Sequence, residues 1–137
     1  MARMSTFPSD DMELTRLLVV SDVGRAREWY ENVLGATVYR EYGGNSVVLQ
    51  LLGSWLLLVT GGGPTDDKPT VTMTPPDDPD RVSAELIFRV PDCRGAYETL
   101  RGRGAEFLAE PVDSGYEIRA FFRDPDGHLF EISEIAG

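Results

Sequence analysis

One cysteine, Cys93, and one histidine, His128, stand in the whole chain of 137 residues. A lone thiol excludes an intramolecular disulfide and agrees with a reducing, cytoplasmic location. Although 42% of the residues are hydrophobic, no apolar run approaches the length of a membrane span, so no membrane partner is expected. Residues 1–12 hold no continuous apolar stretch, which reads as a frayed tail rather than a signal peptide or anchor. No glycine-rich loop opens a helix, so a cradle for a free phosphate is missing. Cations are outnumbered, 13 Lys and Arg against 23 Asp and Glu, for a formal net charge of −10. That balance repels nucleic acid and anionic lipid. It favours a cationic or neutral small molecule, or serves solubility alone.

The length suits one compact domain with a single core. Glu13 to Val20 reads as a strand covered on both faces, with Leu14, Leu18 and Val20 opposite Thr15, Leu17 and Val19. Ser21 and Asp22 offer caps to a helix whose apolar positions Val23, Ala26, Tyr30, Val33 and Leu34 keep helical spacing, and Gly35 stops it. Trp29 and Tyr30 on that helix read as core. Strands follow at Thr37 to Tyr42, Ser46 to Leu52 and Trp55 to Thr60. Residues 13–60 thus form one βαβββ module.

Residues 61–81, rich in Gly, Pro and Asp, read as a linker with a short extended piece at Val71 to Thr74. The pattern then resumes over 82–135. Ser83 to Val90 is a strand, and Asp92 caps a helix carrying Cys93, Ala96, Tyr97 and Leu100 that ends at Gly104. Further strands are expected at Glu106 to Ala109, Tyr116 to Arg123 and His128 to Ser133. A packing role is expected of Cys93, which no second Cys or His accompanies. One constant offset lays Val20 on Val90, Asp22 on Asp92, Ala26 on Ala96 and Glu28 on Glu98, so the halves are a repeat. The same offset lays Thr15 on Glu85, and laying Gly53 on Gly127 puts Leu57 on Glu131. By the two-residue period of strands, these four positions face away from the helices.

The last hairpin carries the most information. Asp124-Pro125-Asp126-Gly127 is a tight turn, and on the returning strand Phe130 and Ile132 share one face while Leu129, Glu131 and Ser133 share the other. Glu131 is the one carboxylate on that second face, either solvated or functional. His128 reads as a solvated turn residue.

The Asp22 cap, Ala26 and Trp29-Tyr30 on the first helix, the Leu34-Gly35 stop and the Asp124-Pro125-Asp126-Gly127 turn before Phe130-Glu131-Ile132 together resemble the vicinal oxygen chelate superfamily. That is the group of glyoxalase I, bleomycin resistance proteins and extradiol dioxygenases. The resemblance covers about Glu13 to Glu134. It implies an α+β fold of two paired βαβββ modules forming a curved mixed sheet around a cleft, helices on the outer face, usually in a homodimer. In the metal enzymes of the superfamily the ligands are His, Gln or Glu at matching strand positions, which here are Thr15, Leu57, Glu85 and Glu131. Only the last two are able to bind a metal, whereas a divalent catalytic site normally takes about three protein ligands. No cofactor is therefore expected; a divalent metal on Glu85 and Glu131 is the alternative.

The resulting expectation is a metal-free protein that binds or sequesters a small, largely apolar aromatic molecule with a cationic or hydrogen-bond-donating edge. Its cleft is expected to be lined by Thr15, Leu17, Val19, Trp55, Leu57, Ile87 and Phe121, with Glu85, Glu131, Arg89 and Arg119 as polar contacts. Trp55 and Phe121 either stack on a planar ligand or fill the core. The alternative is a lyase, isomerase or dioxygenase, metal-dependent or using Glu131 or Glu85 as base, with Arg89 opposing a raised pKa. A purely structural or regulatory dimer is the third reading.

Overall fold

The computed structural model describes residues 6–136, so the first part of the expected 1–12 tail lies outside the described residues. The first half runs β1 (Thr15–Val20), α1 (Val23–Asn32), β2 (Thr37–Tyr42), β3 (Ser46–Leu51) and β4 (Ser54–Thr60). The second runs β5 (Leu86–Arg89), α2 (Cys93–Gly102), β6 (Glu106–Phe107), β7 (Val112–Asp113), β8 (Glu117–Arg123) and β9 (Leu129–Ile135). Each helix opens on an aspartate in extended conformation: Asp22 accepts from the Arg25 N–H and Asp92 from the Gly95 N–H, both at 3.0 Å. Gly35 and Gly104 follow the helices with φ of 77° and 105°, the left-handed step that turns the chain into the next strand. No helix of the described residues is long and apolar enough to cross a membrane.

The strands form two mixed sheets rather than one hydrogen-bonded sheet. The orders are β1-β4-β3-β2 and β5-β9-β8-β6, with β7 also on β8. In each, the first strand lies at an edge and pairs in parallel with the last. Two departures mark the second half. The strand expected at Glu106 to Ala109 is cut to the two residues of β6, and a further short strand not expected from the sequence, β7, also pairs with β8. The strand expected from Ser83 begins only at Leu86, which pairs with Phe130.

One core serves both halves. Leu18, Val20, Ala26, Tyr30, Val47, Leu49, Leu56 and Leu58 from the first meet Phe122, Phe130 and Ile132 from the second. Phe130 lies parallel to Phe122 and Phe88 at 5.3 and 5.9 Å between ring centroids, and Trp29 leans on both Phe122 and Phe130. Trp29 and Tyr30 are core residues, as their helical spacing implies. All these side chains lie on the helix-covered sides of the sheets, which leaves Thr15, Leu17, Leu57, Ile87, Phe121 and Glu131 on the opposite, open side.

The Asp124 turn joins the halves. Asp124 is almost fully buried; its Oδ1 accepts from the Asp126 and His128 N–H groups (2.9 Å each) and its Oδ2 from the Tyr30 hydroxyl of α1 (2.7 Å). Burial pushes this carboxyl above the ordinary aspartate range, while the Tyr30 hydrogen bond pulls the other way. Asp126 in turn accepts from the Ser21 N–H (3.0 Å), and Arg25 donates to the Pro125 carbonyl (3.2 Å). His128 is no solvated turn residue: it is half-buried, and its Nε2 meets the Val19 carbonyl at 2.7 Å, fixing β1 beside the turn.

Residues 61–81 form a folded-back strap. Gly62 and Met73 exchange two backbone hydrogen bonds (2.9 and 2.8 Å), which is all that remains of the extended piece expected at Val71 to Thr74. The strap passes so close to Gly61 that a Cβ there would meet the Met73 carbonyl oxygen at 2.1 Å. Asp80 then anchors it on Arg123 of β8 (2.6 Å).

Candidate functional site

Pairing register places the open-face residues in rows. In the second sheet Ile87, Glu131 and Phe121 form one row across β5, β9 and β8, and Arg89, Ser133 and Arg119 form the next. In the first sheet Leu17, Leu57 and Val48 form a row across β1, β4 and β3, beside Thr15, Trp55 and Gln50. Leu17 faces Leu57 in the way Ile87 faces Glu131, so the two sheets hold equivalent positions with different chemistry.

Glu131 is 3% exposed, an unusual state for a strand glutamate. Its pKa is pushed up to about 7. Burial is the largest cause, followed by a hydrogen bond and charge repulsion from Glu85 and by the charge of Glu117, with Arg119 opposing. Protonated Glu131 donating to the Glu85 carboxyl oxygen accounts for that pattern. Glu85 reaches the pair from the residue just ahead of β5.

The arginine opposing the shift is Arg119 rather than the expected Arg89, because Arg89 is engaged elsewhere. Its Nη1 donates to the Ser133 hydroxyl (2.5 Å), which donates to Glu117 Oε2 (2.9 Å). Arg89 and Arg119 each approach Glu117 at 3.4 Å, one on either carboxylate oxygen. Neither Ser133 nor Glu117 is among the expected site residues. Strand parity on β8 carries the missed signal for Glu117, which alternates with Arg119 and Phe121 on one face.

The eleven expected contact residues do not line one cleft. Trp55, Ile87 and Arg89 share a recess of about 390 Å³ where β5 approaches β1 and β4. Leu17 and Val19 line a second, of about 320 Å³, under the strap. Arg119 and Phe121 line a third, of about 190 Å³, beside β7. Thr15, Leu57, Glu85 and Glu131 line none of these three. The strap is one reason for the division, since Met73 lies over the β1 edge and Val19 is only 7% exposed. A second is that the Tyr39 ring covers Trp55 edge-on, 5.0 Å between centroids, from the irregular stretch of β2 at Val38 to Arg40. Phe121 is half-buried, with the Arg119 guanidinium 5.2 Å above its ring.

Cys93 is fully buried at the start of α2; burial and then the charge of Glu134 raise its thiol, so it packs rather than reacts. As for a metal, no three of His, Cys, Asp and Glu come together among the described residues. With Thr15 and Leu57 at the matching positions, the donor set of Glu85 and Glu131 does not fit a divalent catalytic ion.

The fold has counterparts. The chain is 33% identical to the uncharacterised protein YetH of Bacillus subtilis over 55 residues, 40% of this chain and 46% of that one, so the match spans under half of that relative. It is 28% identical to the lactoylglutathione lyase of Salmonella typhimurium over 133 residues, 88% of this chain and 90% of that one. Among solved structures it is similar to TnmS3, an antibiotic binding protein from Streptomyces sp. CB03234, with a TM-score of 0.66 and 19% identity over 92% of this chain and 97% of that one. At that identity the likeness speaks for the fold alone. The model of the Glyoxalase/Bleomycin resistance protein/Dioxygenase superfamily matches residues 14–132, nearly the whole length, and the chain belongs to that superfamily.

Proposed function

We propose that the open face binds and sequesters a small, planar, largely apolar aromatic molecule without a metal. The observation carrying this reading is an apolar surface left uncovered on the side of both sheets away from the helices. Leu17 is 37% and Ile87 44% exposed there, with Leu57, Trp55 and Phe121 beside them and the Glu131–Glu85 pair set among them. Apolar walls with a few convergent polar groups are the usual make-up of a ligand site. The protonated member of the carboxyl pair donates a hydrogen bond and the other accepts one, so a hydroxyl or amine edge is met by either. The fold likeness to an antibiotic binding protein supports the reading. A homodimer in the cytoplasm belongs to it.

The test is a library of planar aromatic compounds read by melting temperature and by quenching of Trp55. Stabilisation is expected to rise with occupancy. Trp29, enclosed by Tyr30, Phe122 and Phe130, supplies a constant background that Trp55→Phe isolates. Leu57→Arg places a long charged side chain on the face and abolishes the response. Absence of stabilisation in wild type, or equal stabilisation of Leu57→Arg, sinks the reading.

The raised pKa of Glu131 favours a second reading, a carboxylate-based lyase or isomerase, because a group titrating near neutrality is suited to proton transfer. The alignment with a lactoylglutathione lyase supports it. Recovery of the bound compound chemically unchanged after prolonged incubation supports sequestration. Conversion that disappears in Glu131→Gln moves the second reading into first place.

A further inference from the structure

The row beyond Glu131 has a composition that an apolar ligand alone leaves unused. Arg89 and Arg119 stand on either side of Ser133, on strands two ladders apart, and their guanidinium groups converge on the single carboxylate of Glu117. Within this row two cations face one anion, with the Glu131–Glu85 pair in the row beside it, on a protein whose formal net charge is −10. The pairing is loose. Both arginines sit 3.4 Å from Glu117, whereas charge-assisted N–H···O bonds run to about 2.7–2.9 Å. Arg89 otherwise donates only to Ser133, and Arg119 to nothing further among the described residues, so most of their donors remain free. Both side chains are about half-exposed on the open face, and Glu117 with the fully buried Ser133 holds them aligned from below.

Resting on the aromatic-binding reading, we infer that the ligand is an aromatic acid whose carboxylate is received between Arg89 and Arg119 while its ring lies along the Phe121 and Ile87 row. A carboxylate matches the planar fork of a guanidinium. It displaces the stretched Glu117 contacts in part and uses guanidinium donors that no described residue accepts from. The next residues on the same strand faces are about 6.6–6.8 Å apart, which spans a two-ring acid better than a single ring. Arg119 lies over the Phe121 ring, so its positive charge sits directly beside the ring of a ligand on this row. The protein's overall acidity argues for a cationic ligand; the local field on this row argues the opposite, and it is the local field that a bound molecule meets.

The experiment titrates the full-length protein with 2-naphthoate, naphthalene-2-methanol and 2-naphthylmethylammonium, followed by calorimetry. Wild type is expected to bind the carboxylate about tenfold more tightly than the alcohol, and the ammonium most weakly. In Arg89→Gln/Arg119→Gln that advantage disappears while the alcohol's Kd moves less than about twofold. Glu117→Gln removes the competing anion and tightens the carboxylate alone by about threefold or more. If the double variant does not fold, Arg119→Lys, which keeps the charge but loses the fork, gives the same reading through partial loss of the carboxylate's advantage. Equal or tighter binding of the alcohol or the ammonium by wild type overturns this inference and leaves aromatic binding standing. Absence of binding by all three overturns both.

Discussion

The two halves share a strand order, a parallel pairing of the first, edge strand with the last, and an aspartate-capped helix, but their open faces differ. Across β1 and β4 the equivalent row is Leu17 and Leu57; across β5 and β9 it is Ile87 and Glu131. The helix-covered faces are alike because the shared core constrains them: Leu56 and Leu58 on one side correspond to Phe130 and Ile132 on the other, all at most 3% exposed. No such constraint acts on the open faces. Polar chemistry has therefore gathered on one half, with Glu85, Glu131, Ser133, Glu117 and two arginines, while the other half supplies apolar wall. The turns differ in the same sense. The β3–β4 turn at Leu52-Gly53 is a free hairpin tip, whereas the turn from Asp124 to Gly127 is bonded to Tyr30, Ser21 and Arg25 of the first half.

The widest break in this comparison comes from the core. Phe130→Ala removes a fully buried ring stacked between Phe88 and Phe122, at a cost of about 3–5 kcal/mol, and Leu58→Ala in the first half costs about 2–5 kcal/mol. Because both side chains belong to one core, each variant is expected to unfold in a single transition at a lower Tm, with near-ultraviolet and far-ultraviolet dichroism coinciding. A residual transition in Phe130→Ala that is missing from Leu58→Ala would mean that the first half folds alone.

The sequence is informative where a local rule acts. A continuous apolar run marks β1, alternating side-chain character marks β9, the caps Asp22 and Asp92 mark the helix starts, and the Asp-Pro-Asp-Gly turn marks the last hairpin. Strand parity also brings Glu85 and Glu131 to one face, where they pair. It falls short where a contact joins distant segments. Gly62 and Met73 read as linker because composition does not register a backbone bridge between them. His128 reads as solvated because its partner is the Val19 carbonyl, far away along the chain. Trp55 reads as open because the Tyr39 ring that covers it projects from an irregularity in β2, which shifts the register. Strand parity places Ser133 on the Glu131 face but does not disclose its role: a small polar residue in a strand is equally at home in solvent and under an arginine.

Glu131→Gln tests the carboxyl pair that distinguishes the second half. A carboxyl whose pKa rises from an ordinary 4.5 to about 7 on folding keeps its proton in the folded state through that interval, while the unfolded chain has released it. The folded state then binds more protons, so stability from this group is full below about pH 4.5 and falls as pH rises through about 7. At about 1.4 kcal/mol per unit, the loss has a ceiling of about 3 kcal/mol. In Glu131→Gln the amide donates to Glu85 in place of the shared proton, so the slope between about pH 4.5 and 7 flattens and the variant is the more stable protein at pH 8. Denaturant melts at several pH values measure it. An unchanged slope would assign the pH dependence to other groups, Asp124 first among them.

The smallest effect belongs to the plain hairpin tip of the first half. Leu51 pairs with Ser54, which leaves Leu52 and Gly53 as a two-residue loop with φ of 51° and 75°. Both central residues therefore take the left-handed conformation of a type I′ turn, where Asn-Gly is the favoured pair. A leucine there brings its Cβ against its own backbone carbonyl, and at 80% exposure it regains little by burial. Leu52→Asn should thus raise stability by about 0.5–1 kcal/mol, a Tm increase of a few degrees. No comparable gain is open to the second half, whose turn already has Gly127 at its one positive φ. A fall in Tm would show that the Leu52 side chain, which borders an apolar groove with Leu34, Phe88 and Leu100, holds that groove together more than its backbone strain opposes it.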